Sequence, residues 1–388
     1  MCRGIYLDHA ATTPVRREVQ EALDEVLSST FGNASSIHTF GQDAKRVLEE
    51  SRERVATCIG AEPEEIIFTS GGTESDNLAI RGTAYALKEK GNHIITTAVE
   101  HPAVLNCCEA LEEEGFEVTY LPVDMECLVH PEWVMEAIRP ETILITVMFA
   151  NNETGSIQPI AEIGGIARRK GVVFHTDAVQ AVGKVPVNVD ELGVDLMSMS
   201  AHKIYGPKGI GGLYVRKGTM LHPLVYGGHH ERNLRPGTEN VPGDAAFARA
   251  IELATEELPS SRKHLELLKE RLTGGIQERI EHVQRNGALD DCLPNILNMS
   301  FAGVDGEAML LNLDLMGVAV STGSACSSGA TEPSHVLLAM GVEPLLAQAS
   351  LRFSLGRDNT EEQVERVLEV LPEIVSRLRD LGDARAMR

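Results

Sequence analysis

Between about residues 65 and 215, short apolar runs alternate with amphipathic stretches of helix length. The runs EIIFTS, NHIITTA, FEVTYLP, TILITVMFA, VVFHT, DLMSMS and GGLYV are rich in β-branched residues and nearly all apolar. That is the mark of strands buried on both faces. Most are separated by helical patterns such as ESDNLAIRGTAYALKEK and IAEIGGIARRKG. The alternation predicts an α/β protein with a mostly parallel seven-stranded sheet covered by helices. Gly91 after Lys90 and Gly171 after Lys170 read as helix stops. Residues 244–285 read as continuous helix broken at Pro259, followed by strands in NILNMSFAG, VAVSTG and QASLRFSLG and a closing helix TEEQVERVLEVLPEIVSRLRDLG. The pattern predicts a large unit over 15–259 and a smaller α/β unit built from 260–388 with the first 14 residues.

Composition narrows the function classes. A formal charge of −22, from 35 basic and 57 acidic residues, repels phosphate backbones, and no local basic patch offsets it. Nucleic acid is not the expected partner. No window approaches the ~18 apolar residues of a membrane span, and the first residues, MCRGIYLDHAATTP, turn polar too soon for a signal peptide. A cytoplasmic location is expected. The seven cysteines (2, 58, 107, 108, 127, 292, 326) form an odd set without C-x-x-C spacing. In a chain expected to be cytoplasmic, that argues against a disulfide framework and a zinc ribbon. Cys58, Cys107 and Cys108 read as small buried hydrophobes. Cys326 differs, because its neighbours in STGSACSSGATEPSH (321–335) are too small and polar to build a pocket around it.

Unusual polar groups cluster at the downstream ends of the apolar runs. EIIFT leads into SGGTE, NHIITTAVE into His101, ILITVMFA into Asn151 and Asn152, VVFHT into Asp177 and Gln180, and DLMSMS ends at Ser200 before Ala-His-Lys. In open α/β sheets the ligand lies at the carboxyl ends of parallel strands. Singly, each residue has a structural reading: Gly-Gly-Thr as a turn and cap, His101 as a helix-start histidine, Asp177 as a cap, Lys203 as a surface amine. Together they supply a phosphate site at a helix start, a carboxylate for a ring N–H⁺, a stackable imidazole and a lysine fixed between a strand end and a Gly/Pro turn. Those are the parts that hold pyridoxal phosphate as a Schiff base.

At these residues the sequence resembles the pyridoxal-phosphate cysteine desulfurases of the NifS/IscS type, within the class V aminotransferase superfamily. The shared motifs are YLDHAATTP, FGNASSIH, FTSGGTESDN, EHPAV, NNETGSIQP, HTDAVQ, SAHKIYGPKGIG, RPGTEN, STGSACSSG and RFSLGR, in family order. The resemblance implies a fold type I transferase that converts L-cysteine to L-alanine and leaves an enzyme persulfide on Cys326. Lys203 would carry the cofactor and move the α-proton, with His101 stacked on the ring as acid/base. Asp177 would pair with the ring nitrogen and Gln180 with the phenolic oxygen. Gly72, Thr73, Ser200 and His202 would hold the phosphate, joined by Thr238 from the neighbouring subunit of a homodimer. Asn152 would lie over the ring, Arg352 would take the substrate carboxylate, and Asn33 and His38 would line the entrance.

The resemblance also implies a mobile Cys326 loop at about 321–335, of the longer kind that discriminates weakly against selenocysteine. Sulfur would pass to a protein acceptor such as an iron–sulfur scaffold. The short tail DLGDARAMR lacks the extension by which housekeeping desulfurases dock that scaffold. YGGHHERN departs from the family pattern, and its paired histidines, His229 and His230, read as a solvated loop. No permanent metal is expected; Cys326 could be a transient iron–sulfur ligand, since one thiol is too few for a resident cluster. The alternatives are a selenocysteine lyase or related β-lyase on the same apparatus, or a catalytically inactive interaction protein of the same fold. Intact Lys203, Asp177, His101 and Cys326 speak against the last.

Overall fold

The computed structural model describes residues 4–322 and 333–386. Its strands are Ile5–Tyr6 (β1), Ile66–Thr69 (β2), His93–Thr97 (β3), Glu117–Leu121 (β4), Thr142–Thr146 (β5), Val173–Asp177 (β6), Leu196–Ser200 (β7), Gly211–Val215 (β8), Val283–Asn286 (β9), Ile296–Phe301 (β10), Val318–Ala319 (β11) and Ser350–Ser354 (β12). Seven of them form one sheet in the order β2-β8-β7-β6-β5-β3-β4. All its pairings are parallel except those made by β8. β2, β3, β5, β7 and β8 are buried at every position, as their uninterrupted apolar runs require.

Strand order places the ligand crevice. From β3 the chain steps outward to β4, then returns to lay β5 on the other side of β3 and continues toward β8. The reversal between β3 and β5 opens a crevice at the carboxyl ends of the strands. His101 follows β3, Asn152 follows β5 and Asp177 ends β6, so the topology sends all three to one edge.

A second sheet, β12-β10-β9, is antiparallel, and β1 pairs with β11 in parallel. Leu7, Leu268, Leu272, Phe301, Phe353, Val367 and Leu371 share an apolar cluster separate from the one beneath the main sheet. Among the described residues no helix is long and apolar enough to cross a membrane.

Three local expectations need correction. The helix pattern read through 285 ends at Arg279, and Val283–Asn286 is β9. An edge strand with one neighbour carries the polar alternation of VQRN, which resembles a frayed helix end more than a buried strand. VAVSTG yields only the two residues of β11, paired to β1 and outside the three-stranded sheet. Gly171 does close its helix, with φ 69°, but the helix before Gly91 stops at Leu87. Gly91 is needed for space: a Cβ there would lie 2.2 Å from the Glu141 carbonyl oxygen.

That contact is with backbone, which cannot rotate aside. Gly91→Ala should destabilise the protein by about 1–3 kcal/mol, read as a lower denaturant midpoint; an unchanged midpoint would show that the loop at Glu141 yields freely.

Candidate functional site

Lys203 ends a single 3₁₀ turn, Ala201–Lys203, directly after β7. Its Nζ donates to the carbonyls of Ala10 at 2.5 Å and Ala11 at 2.7 Å. The N-terminal segment is tied to the same turn elsewhere. Thr13 donates through N and Oγ1 to the His202 carbonyl (3.0 and 2.8 Å), and Tyr205 N donates to Thr13 Oγ1 at 2.8 Å. Tyr205 is left-handed, φ 65°, a conformation costing a non-glycine residue about 1–2 kcal/mol. Its hydroxyl accepts from Arg357 N at 2.8 Å, so the turn is held from both ends of the chain.

Around the amine lies a cavity of about 300 Å³ lined by Gly72, Thr73, Asp76, His101, Asn152, Asp177, Gln180, Ser200, His202, Lys203 and Arg352 among others. Gly72 and Thr73 open the helix Gly72–Leu87, whose first amides lack intrahelical acceptors and favour an anion. Ser200 is buried beside them. The wall is close-packed: a Cβ on Gly72 would come within 2.8 Å of Val179 Cγ2. His202 meets Thr12 Oγ1 at 3.1 Å through Nδ1. Burial and the Lys203 charge lower its pKa to about 4.

His101 caps the helix Pro102–Glu113, its Nδ1 accepting from Ala103 N at 3.1 Å. That contact leaves the proton of a neutral ring on Nε2. Burial lowers its pKa, and Asp177 opposes the shift. Asp177 accepts from Val179 N at 2.9 Å. Burial pushes its pKa up while the positive charges of His101 and Lys203 pull it down.

Asp76 was not singled out in the sequence. It is 1% exposed, one turn beyond Gly72 on the same helix. Burial and the neighbouring Asp177 charge hold its carboxyl well above the usual range. Its Oδ1 lies 3.7 Å from His175 Nε2 and has no hydrogen-bond partner among the described residues. The available signal was an acidic residue four positions after a glycine already assigned to the site, hence on the same helix face. His175, two residues before Asp177 on β6, pairs with Thr146 Oγ1 at 2.8 Å and Ser198 Oγ at 3.0 Å. Two buried carboxyls with an incomplete set of donors form a place that favours a cation.

Arg352, 3% exposed, divides its guanidinium between the Asn152 carbonyl (Nη1, 2.9 Å) and Asp8 Oδ1 (Nη2, 2.8 Å). Its Nε has no partner among the described residues. A carboxylate already sits on the arm expected to bind one.

Other predicted residues lie elsewhere. Thr238 is in an exposed loop and does not line the cavity. Asn33 is exposed and accepts from Ser35 N at 2.8 Å, while His38 caps the helix Thr39–Ile59. His229 Nδ1 meets Asn233 Oδ1 at 2.6 Å, and His230 Nδ1 accepts from Gly237 N. Cys326 lies outside the described residues.

A family model for aminotransferase class-V proteins matches residues 5–367, and the chain belongs to that family. Within it, a Dictyoglomus turgidum protein named cysteine desulfurase IscS is 55% identical over 382 residues, covering 98% of this chain and 97% of the relative. One of the same name from Methanosarcina thermophila is 52% identical, covering 98% and 94%. A solved NifS-like protein aligns with a TM-score of 0.91 at 40% identity, covering 97% of this chain and all of the other. SspA, solved in complex with cysteine, aligns with a TM-score of 0.81 at 38% identity, covering 92% of this chain and 100% of SspA. The architecture is that of the fold type I pyridoxal-phosphate proteins.

Burial lowers the His175 pKa from 6.5 to about 3, so the folded ring stays neutral while the unfolded one protonates near pH 6.5. The stability this confers is present above pH 6.5 and is lost as pH falls toward 3. By pH 5 the loss reaches about 2 kcal/mol. Thermal melts of the cofactor-free protein should fall between pH 7 and 5, less steeply in His175→Gln; an equally steep fall in that variant would contradict the assignment.

Proposed function

We propose that this chain is a pyridoxal-phosphate-dependent cysteine desulfurase that converts L-cysteine to L-alanine and carries the sulfur on Cys326 to a protein acceptor. The observation that carries the reading is the Lys203 amine, fixed at a strand end inside the same cavity as Asp177, His101 and Arg352. The naming of the relatives supports the substrate, as does the solved SspA–cysteine complex.

The residues fit the cofactor. A glycine-lined helix start offers amides and hydroxyls to a phosphate, and the carboxyl of Asp177, pushed up by burial, would gain a direct cationic partner in a protonated ring nitrogen. When bound, pyridoxal phosphate supplies an electron-accepting ring that labilises the bonds at the substrate Cα and Cβ.

The protein's own groups do the rest. Arg352 holds the substrate carboxylate, displacing Asp8 from Nη2. Asn152, whose carbonyl anchors Arg352, lines the face where substrate lies. Lys203 Nζ takes the proton from Cα, and His101, neutral by burial, exchanges a proton through Nε2. The Cys326 thiolate attacks the substrate sulfur. An S–S bond forms as the Cβ–S bond breaks and its electron pair stays with carbon; one proton then completes the methyl group, and Lys203 returns the proton it took to Cα, giving alanine. The persulfide's terminal sulfur then passes to a thiol of the acceptor, for which an iron–sulfur scaffold is the expected kind.

The active form in this reading is a homodimer. Thr238 does not line the Lys203 cavity of its own chain, and Phe31 and Phe40, both exposed, pack ring to ring at 5.2 Å near Ile37 in sequence, which is 95% exposed. A second copy would cover that apolar patch and bring Thr238 to the partner's phosphate site.

Purified protein reconstituted with pyridoxal phosphate should be yellow and release alanine from cysteine when a reductant is present. Lys203→Ala should lose the visible band, and Cys326→Ser should keep it while turnover stops. A colourless wild type overturns the cofactor assignment, and normal turnover by Cys326→Ser overturns the persulfide role. Arg352→Ala should cost about 10–100-fold in kcat/KM, the value of one charged hydrogen-bonded contact; a loss below twofold would remove it from substrate binding.

A further inference from the structure

Behind the cavity wall lies a second lysine that the chemistry above leaves unused. Lys184 is 9% exposed. Tight turns run from Ala178 to Val185, with Val182 N donating to the Ala178 carbonyl at 3.0 Å and Val185 N to the Ala181 carbonyl at 3.1 Å. They bring Lys184 back onto Gln180, four residues earlier. Its Nζ donates to the Gln180 carbonyl at 3.0 Å and to Gln180 Oε1 at 3.3 Å. Burying an amine costs several kcal/mol unless it is well paired, and a leucine would fill the space without that cost.

Gln180 is the hinge of the arrangement. Its Nε2 donates to the Ala10 carbonyl at 2.9 Å, the same oxygen that takes Lys203 Nζ at 2.5 Å. A side-chain amide can flip, exchanging a donor end for an acceptor end of nearly the same shape. Two neighbours forbid the flip here. An ammonium group has only protons to give, so the amide oxygen faces Lys184, and a carbonyl has only lone pairs, so the NH₂ faces Ala10. One of the two NH₂ protons goes to Ala10, and the other is left for the cavity.

We infer that Lys184 is a positioning residue that locks the Gln180 amide with its NH₂ toward the cavity, so that a proton rather than a lone pair meets the phenolic oxygen of bound pyridoxal phosphate. The inference rests on the proposed function. A donor at that oxygen favours its ionised form, and the positive charge of Lys184 acts in the same sense. The other titratable and charged groups around Lys184 are His9, Arg16, Lys203, Tyr205, Glu257 and Arg357 lining one small cavity, with His202 close enough to feel its charge. Burial and the Lys203 charge lower the Lys184 pKa to about 7. Below that pH the ammonium can only donate to the amide oxygen; above it the amine still has N–H groups to give, and the Ala10 carbonyl, which can only accept, keeps the NH₂ in place.

The test is a pH titration of the visible band of the reconstituted holoenzyme. Lys184→Met keeps the length of the side chain and removes its donors. Losing an ordered donor to the phenolic oxygen and losing a nearby positive charge both favour the protonated chromophore. The midpoint should therefore rise by roughly half a pH unit or more, about threefold in proton affinity. In a Gln180→Leu background the same substitution should move it by clearly less, because the part carried by the amide is gone and only the direct charge effect remains.

A midpoint unmoved in a Lys184→Met protein that binds cofactor overturns the inference. So does a shift of equal size in the Gln180→Leu background, which would mark a direct charge effect. A role in folding alone would lower the melting temperature and leave the midpoint in place. Should Lys184→Met fail to fold, neutron diffraction from wild-type holoenzyme reads the amide directly: deuterons on the cavity side support the lock, and the oxygen there overturns it. A wild type without a visible band would instead defeat the proposed function itself.

Discussion

Lys203 is anchored by two carbonyl oxygens that belong to the other end of the chain. Ala10 and Ala11 take its amine, while Thr13 and Tyr205 secure the turn on which it sits. A lysine has four rotatable bonds and the side-chain entropy that goes with them, so a free one would sample a wide arc. Here the segment through Ala10, Ala11 and Thr13 is laid across the carboxyl edge of the main sheet, and the amine holds it there. The same oxygen of Ala10 receives Gln180, which links the clamp to Lys184.

The electrostatics follow from burial. Asp76 and Asp177 are both pushed up, while His101, His202 and Lys184 are pushed down. Each shift records a group whose charged form has lost its water. A ligand with a cationic ring nitrogen beside the acids and a dianionic phosphate beside the helix start would restore part of what folding removed. The cavity is thus complementary in sign at both ends to one molecule. Asp8 on Arg352 shows the same logic: a buried guanidinium is kept paired by an internal carboxylate, which in the proposed function the substrate's own carboxylate would replace.

Much of this was legible in the sequence, because the groups fall where strands end. Asp177 and Lys203 stand just past VVFHT and DLMSMS, and strand order alone carries them to one crevice. The sequence was silent where partners are distant along the chain. Nothing in YLDHAATTP announces that Asp8 will hold Arg352, some 344 positions away, or that Ala10 and Ala11 will offer carbonyls to Lys203. Asp76 was hidden because SGGTESDN reads as a cap followed by an exposed first turn, and only the fold makes its second turn a cavity wall. β9 was missed because an edge strand needs no apolar alternation, and Gly91 because close approach to another backbone leaves no local signature. Thr238, Asn33 and His38 were assigned by resemblance, and a single chain leaves them on its surface.

Borohydride treatment of the reconstituted holoenzyme, followed by peptide mass spectrometry, locates the lysine that bears the cofactor. The account predicts a pyridoxyl group on the peptide containing Lys203 and none on Lys184 or Lys208. A label on either of those, or on neither them nor Lys203, would contradict it.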